Sequence, residues 1–264
     1  MPTELLKRSW FEGAVRVGES ILALVYPEVC AVCREETATR AEGYVCRTCQ
    51  REVRLVRPPY CGRCGLPPSG EVTDAHTCAN CRDTNPPFES ARAAVVARGV
   101  VLDVIHRFKY GGETWFEPFL SGHLLREAVP ELRGATWAGI VPVPLHPVKE
   151  REREFNQAVR LARPLSKATG IPLRTDLVRR VEPTATQTRL TREQRRDNVL
   201  KAFQPVSGAR LGGGAWIVFD DVLTTGATAG AVAQVLLDLG AERVVVWSVA
   251  RATLDGPGAG PDPG

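Results

Sequence analysis

The chain has 264 residues, 44% of them apolar, which is enough for a real core and for one large domain with a small companion. Its 34 basic and 30 acidic side chains leave a net charge of +4, too mild to call for a nucleic-acid partner by itself. No stretch is apolar enough to span a bilayer, and Glu12, Arg16 and Glu19 interrupt any signal-peptide core, so a cytoplasmic chain without stable membrane insertion is expected.

Residues 1–29 read as a helix. Ser9 and Glu12 form a capping box, and Phe11, Val15, Gly18, Leu22 and Val25 follow at helical spacing. A packing helix is the main reading; a membrane or partner helix is the lesser one, because the apolar face is short. Residues 30–84 hold all eight cysteines, and Asn85-Pro86-Pro87 looks like a linker. Over 85–254 the texture changes to strands alternating with helices. Strands are predicted over 91–97, 139–143, 215–219 and 244–249. Helices are predicted over 119–129, over 158–168 with Pro164 kinking it or shifting its start, and over 228–239 with Gly240 closing it. Such alternation predicts an α/β fold, a parallel sheet flanked by helices on both faces. The Gly- and Pro-rich end, 255–264, reads as a disordered tail.

The cysteines form four CxxC pairs: Cys30/Cys33, Cys46/Cys49, Cys61/Cys64 and Cys78/Cys81. Each CxxC turn offers two thiolates from one side, and two turns complete a tetrahedron. Two structural Cys₄ zinc sites are the expectation, against disulfides or an iron–sulfur cluster, whose ligand spacing is usually closer. Grouping the first four and the last four is the reading adopted; a crossed arrangement is the alternative. Each such site carries a formal charge of about −2. Two of them cancel the chain's +4, which weakens any case for DNA binding through bulk charge, although Arg51, Arg54 and Arg57 could form a local patch.

Residues 216–228 carry the strongest signal: an apolar strand, Asp220-Asp221, then Thr224-Thr225-Gly226-Ala227-Thr228 opening a helix. A helix N-terminus presents unpaired N–H groups and a positive dipole end, glycine lets the backbone approach a phosphate, and the threonines add hydroxyl donors. The two acids repel phosphate, so sugar hydroxyls or Mg²⁺ are their natural contacts. Because they lie at a strand end, replacing both with Asn is expected to cost ligand affinity while sparing the fold.

This segment resembles the phosphoribosyl pyrophosphate (PRPP) motif of type I phosphoribosyltransferases. The resemblance implies that Asp220 and Asp221 hold the ribose hydroxyls and that Thr224, Thr225, Gly226, Ala227 and Thr228 cradle the 5-phosphate. A second cluster runs from Pro142-Val143-Pro144-Leu145-His146-Pro147 to Arg151, Arg153, Phe155, Asn156 and Gln157. A third holds Gln187, Leu190, Arg195, Arg196 and Asn198 ahead of Ala202-Phe203, with Thr191 and Gln194 as a further capping box. With the CxxC pairs and Lys109, their order and spacing resemble the ComF family, a double zinc ribbon joined to a phosphoribosyltransferase-like domain. One position departs: the family glycine after Arg153 is Glu154, a carboxylate near an anion site and a non-glycine where positive φ is expected.

The resemblance implies PRPP binding with Mg²⁺. Arg151 and Lys109 would join the PRPP contacts, and Arg153 would join Asp220 and Asp221 in the catalytic set. Taken singly, Lys109 is either a site lysine or a surface one, and each Arg has a solvated surface charge as its alternative. His106, His123 and His146 lack ligand partners at motif spacing and read as structural. Two functions are weighed. One is transfer of the phosphoribosyl group to an acceptor that no motif identifies, in the setting of DNA uptake and natural transformation. The other is a non-catalytic protein of the competence machinery that binds a ligand and single-stranded DNA, with a competence helicase as partner.

Overall fold

The computed structural model describes residues 28–68, 70, 74, 76–182 and 201–253. The expected helix over 1–29, the cluster from Gln187 to Asn198 with its capping box, and the 255–264 tail therefore fall wholly or almost wholly outside the described residues.

The core is a four-stranded, all-parallel sheet in the order β1-β6-β5-β2. Its strands are β1 (Ser90–Val96), β2 (Gly139–Pro142), β5 (Ala215–Leu223) and β6 (Arg243–Arg251). Parallel strands covered on both faces need apolar side chains on both, and β5 and β6 supply them. Ile217, Phe219, Val245, Trp247 and Val249 face one apolar cluster; Trp216, Val218, Val244 and Val246 face another. On the first face pack α3 (Gly99–Tyr110), α4 (Glu117–Leu132) and α6 (Gln157–Thr169). On the second pack α7 (Ala227–Asp238) and a small antiparallel pair, β3 (Val178–Arg180) with β4 (Phe203–Pro205). Two short helices, α1 (Arg47–Arg51) and α2 (Ala79–Thr84), start right after Cys46 and Cys78 and carry the second cysteine of each pair, and α5 (Pro147–Arg153) lies between β2 and α6.

The four predicted strands are all present. β5 runs past the predicted end at 219 because pairing with β6 continues to Leu223 opposite Arg251, so both aspartates lie inside a paired strand. Pro164 sits well inside α6 without shifting its start. Asn156 fixes that start, its side chain accepting from the Val159 amide at 3.2 Å. α7 closes in a Schellman arrangement: Gly240 N–H donates to Leu237 and Ala241 N–H to Leu236, with Gly240 at φ +107°. α3 was not predicted. It buries Val100, Val101, Val104, Ile105 and Phe108 at helical spacing, but its β-branched start has no side-chain cap to announce it.

The cysteine module is not set apart from the sheet. Residues between its two halves lie along the β1 edge, where the Val56 amide donates to Ala94 and the Val96 amide to Arg54. That pairing covers an otherwise open strand edge. The Pro86 carbonyl accepts from Arg63, so the predicted linker is tied back to the module.

Candidate functional site

The eight cysteines gather as Cys30/Cys33/Cys46/Cys49 and Cys61/Cys64/Cys78/Cys81, the sequential grouping, with the sulfurs of each set within 4.8 Å of one another. Sulfur pairs stand 3.9 Å apart (Cys30–Cys49), 3.7 Å (Cys33–Cys46) and 3.6 Å (Cys64–Cys78). These are no disulfides, and they approach the S–S edge of about 3.8 Å that a tetrahedron with 2.3 Å Zn–S bonds requires. In each set the amide of the third cysteine donates to the sulfur of the first: Cys46 to Cys30 and Cys78 to Cys61, both at 3.3 Å. Burial raises the Cys30 thiol, but backbone N–H groups of Cys46, Cys33 and Val32 outweigh it and bring it to about 6. Cys61 falls to about 7 by the same balance, burial opposed by the amides of Cys78, Cys64 and Arg63. Burial pushes Cys46 up to about 11 and also raises Cys49, Cys78 and Cys81. In each set the thiols give up their protons as metal binds. Two structural zinc ions fit these sets.

The second site lies at the carboxyl end of β5. Asp221 is buried, and its Oδ2 pairs with the Lys109 ammonium at 2.9 Å. Lys109 is in the last turn of α3, so the lysine that sequence alone left between site and surface belongs with the acid pair. Asp220 keeps partial solvent access, and its Oδ1 accepts from the Asp221 amide at 2.9 Å. Burial, then the charge of Asp221, push the Asp220 carboxyl well above the usual carboxylate range; Lys109 opposes the shift. The chain then turns through Thr224 and Thr225, both exposed, to buried Gly226 at φ +83°, which starts α7. Only glycine takes that left-handed conformation freely. No side chain of Gly226 exists to cap α7, and among the described residues the Ala227 amide is met by Thr225 Oγ1 at 3.4 Å. The result is a helix N-terminus flanked by exposed hydroxyls and open to an anion, with a carboxyl pair beside it.

The predicted pyrophosphate-side residues fall on the short helix α5 and the turn after it. Arg151 is exposed. Arg153 lies over the Tyr110 ring, 4.6 Å from its centroid, so it touches the neighbour of Lys109. Phe155 packs edge-on against Phe108 with centroids 5.3 Å apart, and the Asn156 amide donates to the Val143 carbonyl at 3.0 Å. Phe155 and Asn156 therefore fasten the turn to α3 and β2. Glu154 is exposed at φ +64°, the conformation expected of the family glycine. Left-handed backbone costs a side-chain-bearing residue about 1 kcal/mol or somewhat more. Glu154→Gly is expected to recover about 0.5–1 kcal/mol, since glycine is more flexible when unfolded. A urea melt showing the variant less stable than the parent would contradict this.

The three histidines read as structural each make a packing or capping contact. His123 is buried edge-on against Phe119 and its pKa is lowered by that burial; His146 caps α5, accepting from the Val148 amide at 3.3 Å; His106 packs on Tyr110. Arg251 went unnoticed in the sequence. It is buried at the end of β6, beneath the Thr224–Thr225 turn and against Cys64. The only signal for it is a cation ending a mostly apolar strand that also begins on Arg243.

A parallel α/β sheet flanked by helices, behind two cysteine tetrads, defines a phosphoribosyltransferase-like fold joined to a zinc-binding module. The double zinc ribbon domain model matches residues 21–88. The chain is 32% identical over 231 residues to competence protein F of Haemophilus influenzae, covering 84% of this chain and 96% of that protein. It is also 32% identical over 235 residues to the DNA utilization protein YhgH of Escherichia coli (strain K12), covering 86% and 99%. The YhgH protein of Salmonella typhimurium matches at 31% over 234 residues, covering 86% and 99%. The chain belongs to this ComF family of competence and DNA utilization proteins. Among the described residues no helix is long and apolar enough to cross a membrane.

Proposed function

We propose that the protein binds PRPP, or a closely related ribose phosphate, at the end of β5, and that it serves DNA uptake or utilisation as the names of its relatives suggest. The observation that carries this reading is the open N-terminus of α7 with exposed Thr224 and Thr225 beside the Asp220–Asp221 pair. The 5-phosphate would take the N-terminal amides and threonine hydroxyls. Because Lys109 neutralises Asp221, Asp220 is the carboxylate left to accept from ribose hydroxyls. DNA lacks the 2′ hydroxyl, so an acid pair placed there suits a ribose better than a DNA end. Mg²⁺ arriving with the ligand would neutralise pyrophosphate charge; such ions are commonly held by substrate oxygens and few protein groups.

If transfer follows, an acceptor nucleophile forms a bond to C1 as the C1–O bond breaks. Pyrophosphate leaves with the electron pair, and the nucleophile gives its proton to water or a base. The protein's part is positioning and charge stabilisation. Arg153 is stacked on Tyr110 and Glu154 stands next to it. That placement favours a second reading, ligand binding without transfer; single-stranded DNA and a competence helicase would be its partners by the family resemblance alone.

Calorimetry and melting with PRPP and Mg²⁺ test the site. At ligand about 100-fold above Kd, the folded state gains about 2.7 kcal/mol, a rise of several degrees in Tm. Binding that needs ionised Asp220 must expel its proton below the raised pKa, so affinity should fall as pH drops through that value and level off above it. No melting shift at millimolar PRPP would overturn the site. Pyrophosphate release across a panel of bases, beside a salt-titrated DNA-binding assay, separates transfer from binding alone.

A further inference from the structure

Arg251 makes five hydrogen bonds, all to carbonyl oxygens or sulfur. Its Nε donates to the Cys64 carbonyl at 3.0 Å and one terminal nitrogen to the Cys64 sulfur at 3.4 Å. The other terminal nitrogen donates to the carbonyls of Leu223 and Ala252, both at 2.8 Å, and of Thr224. The residue is 2% exposed. A guanidinium does not shed its proton in proteins, so this is a buried, permanent positive charge. Among the described residues it forms no ion pair with a carboxylate. The negative charge it can meet is that of the second cysteine set, whose metal-loaded form carries a net negative charge.

Two further contacts run along the same seam. The Asn80 side-chain amide, between Cys78 and Cys81, donates to the Thr225 carbonyl at 3.1 Å. Gly65, beside Cys64, sits so close to β1 that a Cβ would stand 2.8 Å from the Ala91 carbonyl oxygen, and it needs φ +66° as well. The carbonyls of Leu223, Thr224 and Thr225 are thus all held from the side of the second cysteine set. The first set packs elsewhere, in the core cluster with α3 and α4.

We propose that Arg251 is a positioning residue which makes the second metal centre part of the scaffold of the Thr224–Thr228 loop, so that metal loading there sets the loop's shape. Where the loop binds a phosphate, this rests on the function proposed above, and coupling must then run both ways: ligand on the loop is felt at the second metal and not at the first.

Three measurements on the full chain test it. In metal-loaded Arg251→Lys, which keeps the charge but loses the fork, hydrogen exchange should quicken about tenfold or more at two amides. These are Ala252, bonded to Leu223, and Gly230, bonded to Gly226. Should Arg251→Lys fail to fold, Cys78→Ser and Cys33→Ser give the same comparison, with faster exchange at these amides in the first only. With both sites loaded with cadmium-113, Arg251→Lys should move one of two resonances, and PRPP with Mg²⁺ should move that same one in the parent protein. Unchanged exchange in a folded variant with two metals bound would overturn the proposal, as would equal effects of the two cysteine variants. So would PRPP that binds by calorimetry yet leaves both resonances in place. PRPP that does not bind at all removes the proposed function, while the exchange comparison still decides the role of Arg251.

Discussion

Asp221→Asn is expected to destabilise the protein by about 2–3 kcal/mol, whereas Asp220→Asn leaves it as stable as the parent or more so. The sequence suggested that both could be changed without harm to the fold, and the Lys109 pair corrects that. The Asp221 side chain is 4% exposed and its partner 15%, so the amide leaves an ammonium largely buried without its counter-ion. Breaking a fully buried pair costs about 3–5 kcal/mol; the remaining exposure of Lys109 and the nearness of Asp220 lower that figure. Asp220 has the opposite sign. Its folded pKa is raised, so it costs stability as pH climbs from the ordinary carboxylate value through the raised one, and the cost is constant above that. Asp220→Asn removes the cost. It should also weaken PRPP binding by about 1.5–3 kcal/mol, the worth of hydrogen bonds to a charged group, or roughly 10- to 150-fold in Kd. Urea melts and calorimetry on the two single variants check both halves. An Asp221→Asn protein of parental stability would show that the ion pair is not structural. Unchanged PRPP affinity in Asp220→Asn would remove that residue from the site.

Stripping both metals is expected to unfold the cysteine module. Structural zinc binding is worth about 10–16 kcal/mol at neutral pH in small zinc-finger peptides, and without it four thiols crowd one another in a buried space. The two sites should differ. The first set packs in the main core, where Arg107 of α3 also donates to the Ala31 carbonyl at 2.8 Å, so losing its metal should lower the stability of the whole chain. The second set forms a small cluster of its own with Leu66, so its loss should be felt mainly at the loop above Arg251. Metal analysis should find two zinc ions per chain, and circular dichroism during chelation should show loss of structure. A folded, metal-free chain with every thiol titratable would contradict the assignment.

Local chemistry was legible from the sequence because its signals are short. CxxC spacing brings two sulfurs together whatever surrounds them, and the sequential tetrads follow from neighbouring turns. Apolar runs marked the four strands, and Gly226 ahead of an apolar helix marked the candidate anion site. Contacts between residues far apart in the chain were not legible. Lys109 meets Asp221, and Arg251 meets Cys64 across 187 positions, and no spacing rule announces either. Residue types and turn geometry by themselves determined which groups could bind metal or phosphate. Tertiary structure alone decided how their charges are balanced, because a buried charge is settled by whichever partner the packed fold brings within a few ångströms.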